Sequence, residues 1–132
     1  MKACSMAVPI VVACGRGRDI SAPVIRDYIM KQASLRHSRK QNGHVLPKLL
    51  YLGTPDFESK TGLDLQLKGY VKRCEIEHLK LTNLESVASE TDIRAAIEAA
   101  DIIAVSGGNT LFAVSRWRRL GIDKLLRDAW QR

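Results

Sequence analysis

Aromatic side chains make up only 5% of the sequence, too few to build the stacking platform on which single-stranded nucleic acid is usually held. Cysteine is also scarce. Cys4, Cys14 and Cys74 are odd in number and none belongs to a CxxC pair, which excludes a disulfide framework and predicts a reducing, cytoplasmic setting. Long apolar runs are missing: Ala7 to Cys14 and Ile102 to Val105 fall short of the roughly 20 residues a membrane helix requires, so no membrane partner is expected. The opening "MKACSMAVPIVVACGRG" pairs a lysine with an apolar run but passes into glycines without a small-residue cleavage site, so it reads as a strand and not as a secretory leader. The three histidines, His37, His44 and His78, stand far apart without metal-ligand spacing; they read as surface residues, and no metal and no cofactor is expected.

What is present is ordinary globular material. With 132 residues, 45% of them hydrophobic and 27% charged, the chain suits a single domain around one core. The net charge of +7 would fit a polyanionic partner, but the basic residues are dispersed. Their densest group, "LRHSRK" from Leu35 to Lys40, lacks aromatic interleaving and reads as a solvated loop. Nucleic-acid binding there would predict affinity that falls steeply with salt and with loss of Arg36, Arg39 and Lys40; nucleic acid is not expected as a partner.

Along the chain, strand-like and helix-like patterns alternate. "VPIVVAC" from Val8 to Cys14 is a β-branched run bounded by "GRGRD", the pattern of a strand buried on both faces. Ser21 and Pro23 open a helix with Val24, Ile25, Tyr28 and Ile29 on its inner stripe, ending near Ser34. Arg36 to Gly43 reads as a loop. "KLLYLGTPD" gives a second strand, Phe57 to Arg73 a helix interrupted by Gly62 and Gly69, and "CEIEHLKLT" a third strand. Ser89 or Thr91 caps a helix that buries Ile93, Ala96, Ile97 and Ala100, and Asp101 begins a fourth strand. A helix from Leu111 to Leu120 is closed by Gly121 in the left-handed conformation, and Asp123 caps a last helix to Arg132, with Trp117 and Trp130 as core or edge anchors. The βαβαβαβα order predicts an α/β fold, a mostly parallel sheet with helices on both faces.

In such sheets, ligands bind outside the carboxyl ends of the strands. The loops there are "GRGRD", "GTPD", "LTN" and "SGGNT". "GRGRDI" has isoleucine, Ile20, where a dinucleotide fingerprint needs its third glycine, and "GGNT" lacks the lysine of a phosphate loop. Gly107 and Gly108 offer backbone N–H groups unshielded by side chains, which suits an oxyanion hole. They equally suit a tight strand-to-helix turn in which Asn109 or Thr110 caps the next helix.

With its strand, "ADIIAVSGGNTLFAVSRWRRLGIDKLLRDAW" resembles the segment of peptidase E and cyanophycinase-like serine peptidases in which a Gly-Gly-Asn-Thr loop precedes the nucleophile strand. The glycines Gly15 to Gly17, "LLYLGTPD" and "DIRAAIEAADII" stand in the same order as in that family, so the resemblance runs over essentially the whole chain. It implies a flavodoxin-like fold of the class I glutamine amidotransferase kind, and hydrolysis of small peptides, aspartyl peptides among them, by a serine on a sharp elbow with a histidine and an acid. Gly107, Gly108 and Asn109 would form the oxyanion side of that site. Arg16 and Arg18 are candidates to bind the substrate carboxylate, or are solvated loop arginines.

The family's elbow reads Gly-x-Ser-Ala-Gly one strand later, and no Gly-x-Ser-x-Gly occurs among these residues; Ser106 reads as a strand end. The chain is therefore expected to be the N-terminal part of a longer peptidase domain, incomplete at the elbow strand and inactive as it stands, since an oxyanion hole without an activated nucleophile stabilises nothing. An uncovered sheet edge would pair with the missing C-terminal portion or with a second copy. The alternative is a non-catalytic flavodoxin-like module that binds a nucleotide or another anion in the same crevice.

Overall fold

The computed structural model describes residues 9–40 and 45–132, of which 38–40 are described by their backbone alone. A 3-10 turn, η1 (Gly17–Ser21), leads into α1 (Pro23–Lys40). Then come β1 (Lys48–Leu52), the 3-10 turn η2 (Thr54–Asp56), α2 (Lys60–Leu67), β2 (Glu75–His78), α3 (Glu90–Ala99), β3 (Ile102–Val105), α4 (Thr110–Arg119) and α5 (Ile122–Gln131). The sheet is three-stranded and all parallel, in the order β2-β1-β3, with Leu49 opposite both Ile76 and Ile102. This is an α/β architecture consistent with a flavodoxin-like, class I glutamine amidotransferase-like fold.

The central strand explains the layering. Because β1 is covered on both faces, Leu49, Leu50, Tyr51 and Leu52 are all at most 1% exposed, the continuous burial expected of a parallel strand. Its side chains alternate between two cores. Leu50 and Leu52 join Leu81, Ile93, Ile97, Ile122 and Leu125 from the α3 and α5 side. Leu49 and Tyr51 join Leu67, Tyr70, Cys74 and Ala104, with Ile29 and Met30 of α1 packed on them. The connection from β1 to β2 runs outward and that from β2 to β3 runs back past β1, which is why the two crossovers cover opposite faces. Where they diverge, between β1 and β3, lies the topological switch point.

Several expectations are corrected. Residues 9–14 form no strand, and Val8 lies outside the described residues. The run lines a groove of about 730 Å³ together with β3, α1 and α5, without joining the ladder. Its β-branched residues therefore remain unpaired, with Val11 76% exposed, because strand preference is expressed only against a packed neighbour. The sheet accordingly has three strands among the described residues, not four. α1 continues through Arg36–Lys40, where the polar composition predicts a loop. Ser21 does not cap it: its hydroxyl donates to the Gln66 carbonyl at 2.6 Å and accepts from the Gly69 N–H at 3.0 Å, tying η1 to α2. Within α1, Val24 and Tyr28 are exposed and Ala33 is buried.

The helix expected from Phe57 shrinks to Lys60–Leu67, because Phe57 and Glu58 take left-handed φ of 57° and 61° and Ser59 becomes the cap. Gly121, at φ 70°, closes α4 as expected but also occupies the cap position of α5, leaving Asp123 in the first turn instead. His37 and His78 are not surface groups. His37 Nδ1 lies 3.1 Å from the fully buried Asp101 carboxylate, which also accepts the Lys48 N–H at 2.9 Å and so pins α1 to the amino ends of β1 and β3. His78 packs edge-on against Tyr51, ring centroids 5.3 Å apart. His44 and Cys4 lie outside the described residues.

Candidate active-site rim

The carboxyl ends of β1 and β3 meet at the switch point. Ser106, just after β3, donates its N–H to the Leu52 carbonyl at 3.1 Å, and the chain then turns through Gly107 and Gly108 into α4. Asn109 caps that helix: its side-chain oxygen accepts the Phe112 N–H at 2.9 Å, satisfying one of the helix's unpaired donors. Its backbone N–H donates across the crevice to the Pro55 carbonyl at 2.7 Å.

The two glycines differ in why they are glycine. Gly108 has φ 140°, and a Cβ there would be driven into the Pro55 peptide, with its carbonyl carbon 2.6 Å away. No other residue adopts that backbone easily in so close an approach. At Gly107 a Cβ would meet open space. Gly107, Gly108 and Asn109 are exposed, and among the described residues neither glycine N–H meets an acceptor. Two unpartnered donors therefore stand just before the Asn109 cap of a ten-residue helix, an end where the helix dipole favours negative charge.

The rim is held by further cross-ties. Trp117 Nε1 donates to the fully buried Thr54 hydroxyl at 3.0 Å, joining α4 to η2. Arg116 donates to the Thr82 carbonyl at 3.1 Å and lies 5.7 Å over the Phe112 ring, which in turn contacts Phe57. The sequence marks Thr54 and Pro55 only as part of a loop at a strand's carboxyl end, and gives no signal for Glu58. Which carbonyl of "GTPD" lies against Gly108 is fixed by tertiary packing.

Beneath the rim, burial favours the neutral forms of the polar groups. Burial pushes the Tyr51 phenol up to about 12, nearby Asp56 adding to the rise and the Ser106 hydroxyl opposing it. Ser106 lies near that phenol without the geometry of a hydrogen bond. Burial also lowers the His78 pKa, outweighing the opposing effects of Glu58 and Asp56. His78 Nε2 is buried without a partner. Ser106 is 6% exposed, as fits the end of a strand and not an accessible nucleophile.

The other candidates stand on η1 and its cap. Arg16 stands at the cap of η1 and Arg18 within it, both exposed, and η1 packs against α2 and α1. Among the described residues no group of three or more His, Cys, Asp or Glu side chains could hold a metal ion, and no helix is long and apolar enough to cross a membrane.

A parallel α/β sheet with a two-glycine loop at its switch point is the general class of architecture this chain shows. The particular family follows from the sequence of that half. The profile of Peptidase family S51 matches residues 66–132, just over half the chain and all of β2 through α5, and the chain belongs to this family of serine peptidases. The resemblance read over essentially the whole chain is thus shown for the part carrying Gly107, Gly108 and Asn109. No curated protein and no solved structure matches.

Proposed function

We propose that this chain supplies the oxyanion side of a serine peptidase site acting on small peptides, aspartyl dipeptides among them. The observation that supports it is the pair of unpartnered N–H groups of Gly107 and Gly108, exposed at the switch point and fixed by the contact of Gly108 with Pro55. A serine attacking the scissile carbonyl would create a tetrahedral oxyanion, and preorganised backbone donors stabilise that charge at no reorganisation cost. No Gly-x-Ser-x-Gly elbow stands among these 132 residues, so the proposal assigns the oxyanion side alone and names no serine, histidine or acid.

Hydrolysis of an aspartyl dipeptide tests the reading. The 132-residue chain alone should show none. Supplied with a Gly-x-Ser-x-Gly segment of a peptidase of this family, it should show turnover that Gly108→Ala, which keeps its N–H but pushes the loop off the Pro55 peptide, lowers by about 10²- to 10³-fold in kcat, the scale of losing an oxyanion donor. Hydrolysis by these residues alone, or turnover indifferent to Gly108, would overturn it.

A further inference from the structure

A glutamate outside this chemistry holds the rim together. Phe57 and Glu58 are consecutive residues with left-handed φ, 57° and 61°, a conformation that side chains with a Cβ avoid. Two successive residues stay there only where the surroundings over-determine them. Here the determining contacts converge on one carboxylate. Glu58 Oε1 accepts the Leu81 N–H and, at 2.9 Å, the Thr82 N–H, while the Thr82 hydroxyl donates to Oε2 at 2.6 Å. The Glu58 N–H itself donates to the Gly53 carbonyl at 2.8 Å, closing the loop that carries Pro55.

Pro55 in turn sets the amides of the next loop. Its carbonyl accepts the Asn109 N–H, and its peptide abuts Gly108 so closely that only glycine fits. A chain of contacts therefore runs from the end of β2, through the Glu58 carboxylate and the Gly53–Glu58 loop, to the Gly107–Asn109 amides. We propose that Glu58 is a positioning residue: by clamping Leu81 and Thr82 it fixes the Pro55 carbonyl, which aims the Gly107 and Gly108 N–H groups into the crevice. Its importance for hydrolysis rests on the oxyanion reading above; the clamp itself can be tested without any substrate.

Amide hydrogen exchange on the ¹⁵N-labelled chain reads the clamp directly. In Glu58→Ala the protection of the Asn109 N–H should fall by about tenfold or more, with shifted Gly107 and Gly108 resonances, while the Ser106 N–H, bonded to Leu52, keeps its protection to within about twofold. Glu58→Gly relieves the left-handed backbone but still deletes the carboxylate, so it should keep the fold and lose Asn109 protection just as far. Glu58→Gln retains an oxygen for the two N–H groups and should restore it. Wild-type exchange at Asn109 in both the alanine and glycine variants, or failure of glutamine to restore it, overturns the assignment. Because exchange is read with no peptide present, its result stands apart from the outcome of the dipeptide assay.

Discussion

β3 has two sides with contrasting surroundings. Toward β1, its carboxyl end is paired, capped and cross-tied: Ser106 to Leu52, Asn109 to Pro55, and Trp117 to Thr54. On its outer flank, Ile102–Val105 face a groove shared with Pro9–Val12, and Val11 and Val105 are left exposed. A parallel ladder does not by itself position a site. The crevice is fixed because three loops share backbone and buried side-chain hydrogen bonds, whereas the flank is held by loose apolar proximity, which gives no direction.

Among the rim variants the largest expected effect tests the tied side with a neighbouring pair. Gly108→Ala forces a Cβ toward the Pro55 peptide at φ 140° and should cost about 3 kcal/mol in urea unfolding, the sum of backbone strain and a displaced loop. Gly107→Ala enters open space and should stay within about 0.5 kcal/mol. Equal losses at the two positions would show that the rim is not braced by Pro55.

Next comes alkaline pH, which acts on the core under the rim. Tyr51 and Tyr70, both fully buried, are raised by burial from 10.0 to about 12, and buried Cys74 from 9.0 to about 11. Each folded-state pKa lies above its unfolded value, so this stability is complete below about pH 9 and is lost as pH rises, first through Cys74 and then, from about pH 10 to 12, through the tyrosines. Each tyrosine accounts for up to about 2 kcal/mol. Tyr51→Phe should flatten its share of the alkaline slope in a pH series of unfolding curves while changing little at neutral pH, since the phenol has no hydrogen-bond partner to lose. His78 carries the opposite sign. Its pKa is lowered from 6.5, so its contribution is present above that pH and declines as the pH falls.

Thr54→Val has a smaller effect. It keeps the buried volume but leaves Trp117 Nε1 without its acceptor, and should cost about 1–2 kcal/mol by thermal or urea unfolding. A neutral outcome would mean that the tie between η2 and α4 is redundant.

The difference between the two sides also explains what could be read from sequence. Leu49 to Leu52 announces a doubly buried parallel strand by its unbroken apolar run, and the cap chemistry of Ser89 or Thr91 and of Asn109 or Thr110 announces two helices, which Ser89 and Asn109 prove to cap, so these elements and the position of the glycine loop were legible. The same pattern reading fails at residues 9–14 for a physical cause: "PIVVAC" has strand character, but strand formation needs an available edge in register, which local pattern does not encode. The left-handed pair Phe57 and Glu58 was equally hidden, since neither residue type favours that conformation and a distant carboxylate contact enforces it. Of the rim, the place of the two glycines and Asn109 after the strand was legible, but the Pro55 carbonyl that accepts the Asn109 N–H was not.

The smallest effect belongs to the flank. Val11, 76% exposed and outside any ladder, should tolerate replacement by serine within about 0.5 kcal/mol of urea unfolding stability. By contrast Leu52→Ala, in the strand that ends at the rim and 0% exposed, should cost about 2–5 kcal/mol. The pair measures the comparison directly, because both residues are apolar and sit at opposite sides of β3. If Val11→Ser were as costly as a core truncation, the 9–14 segment would be packed as a fourth strand in solution, and the flank would be as well defined as the crevice. A small loss keeps the distinction, with the directional contacts concentrated where Gly107 and Gly108 present their amides.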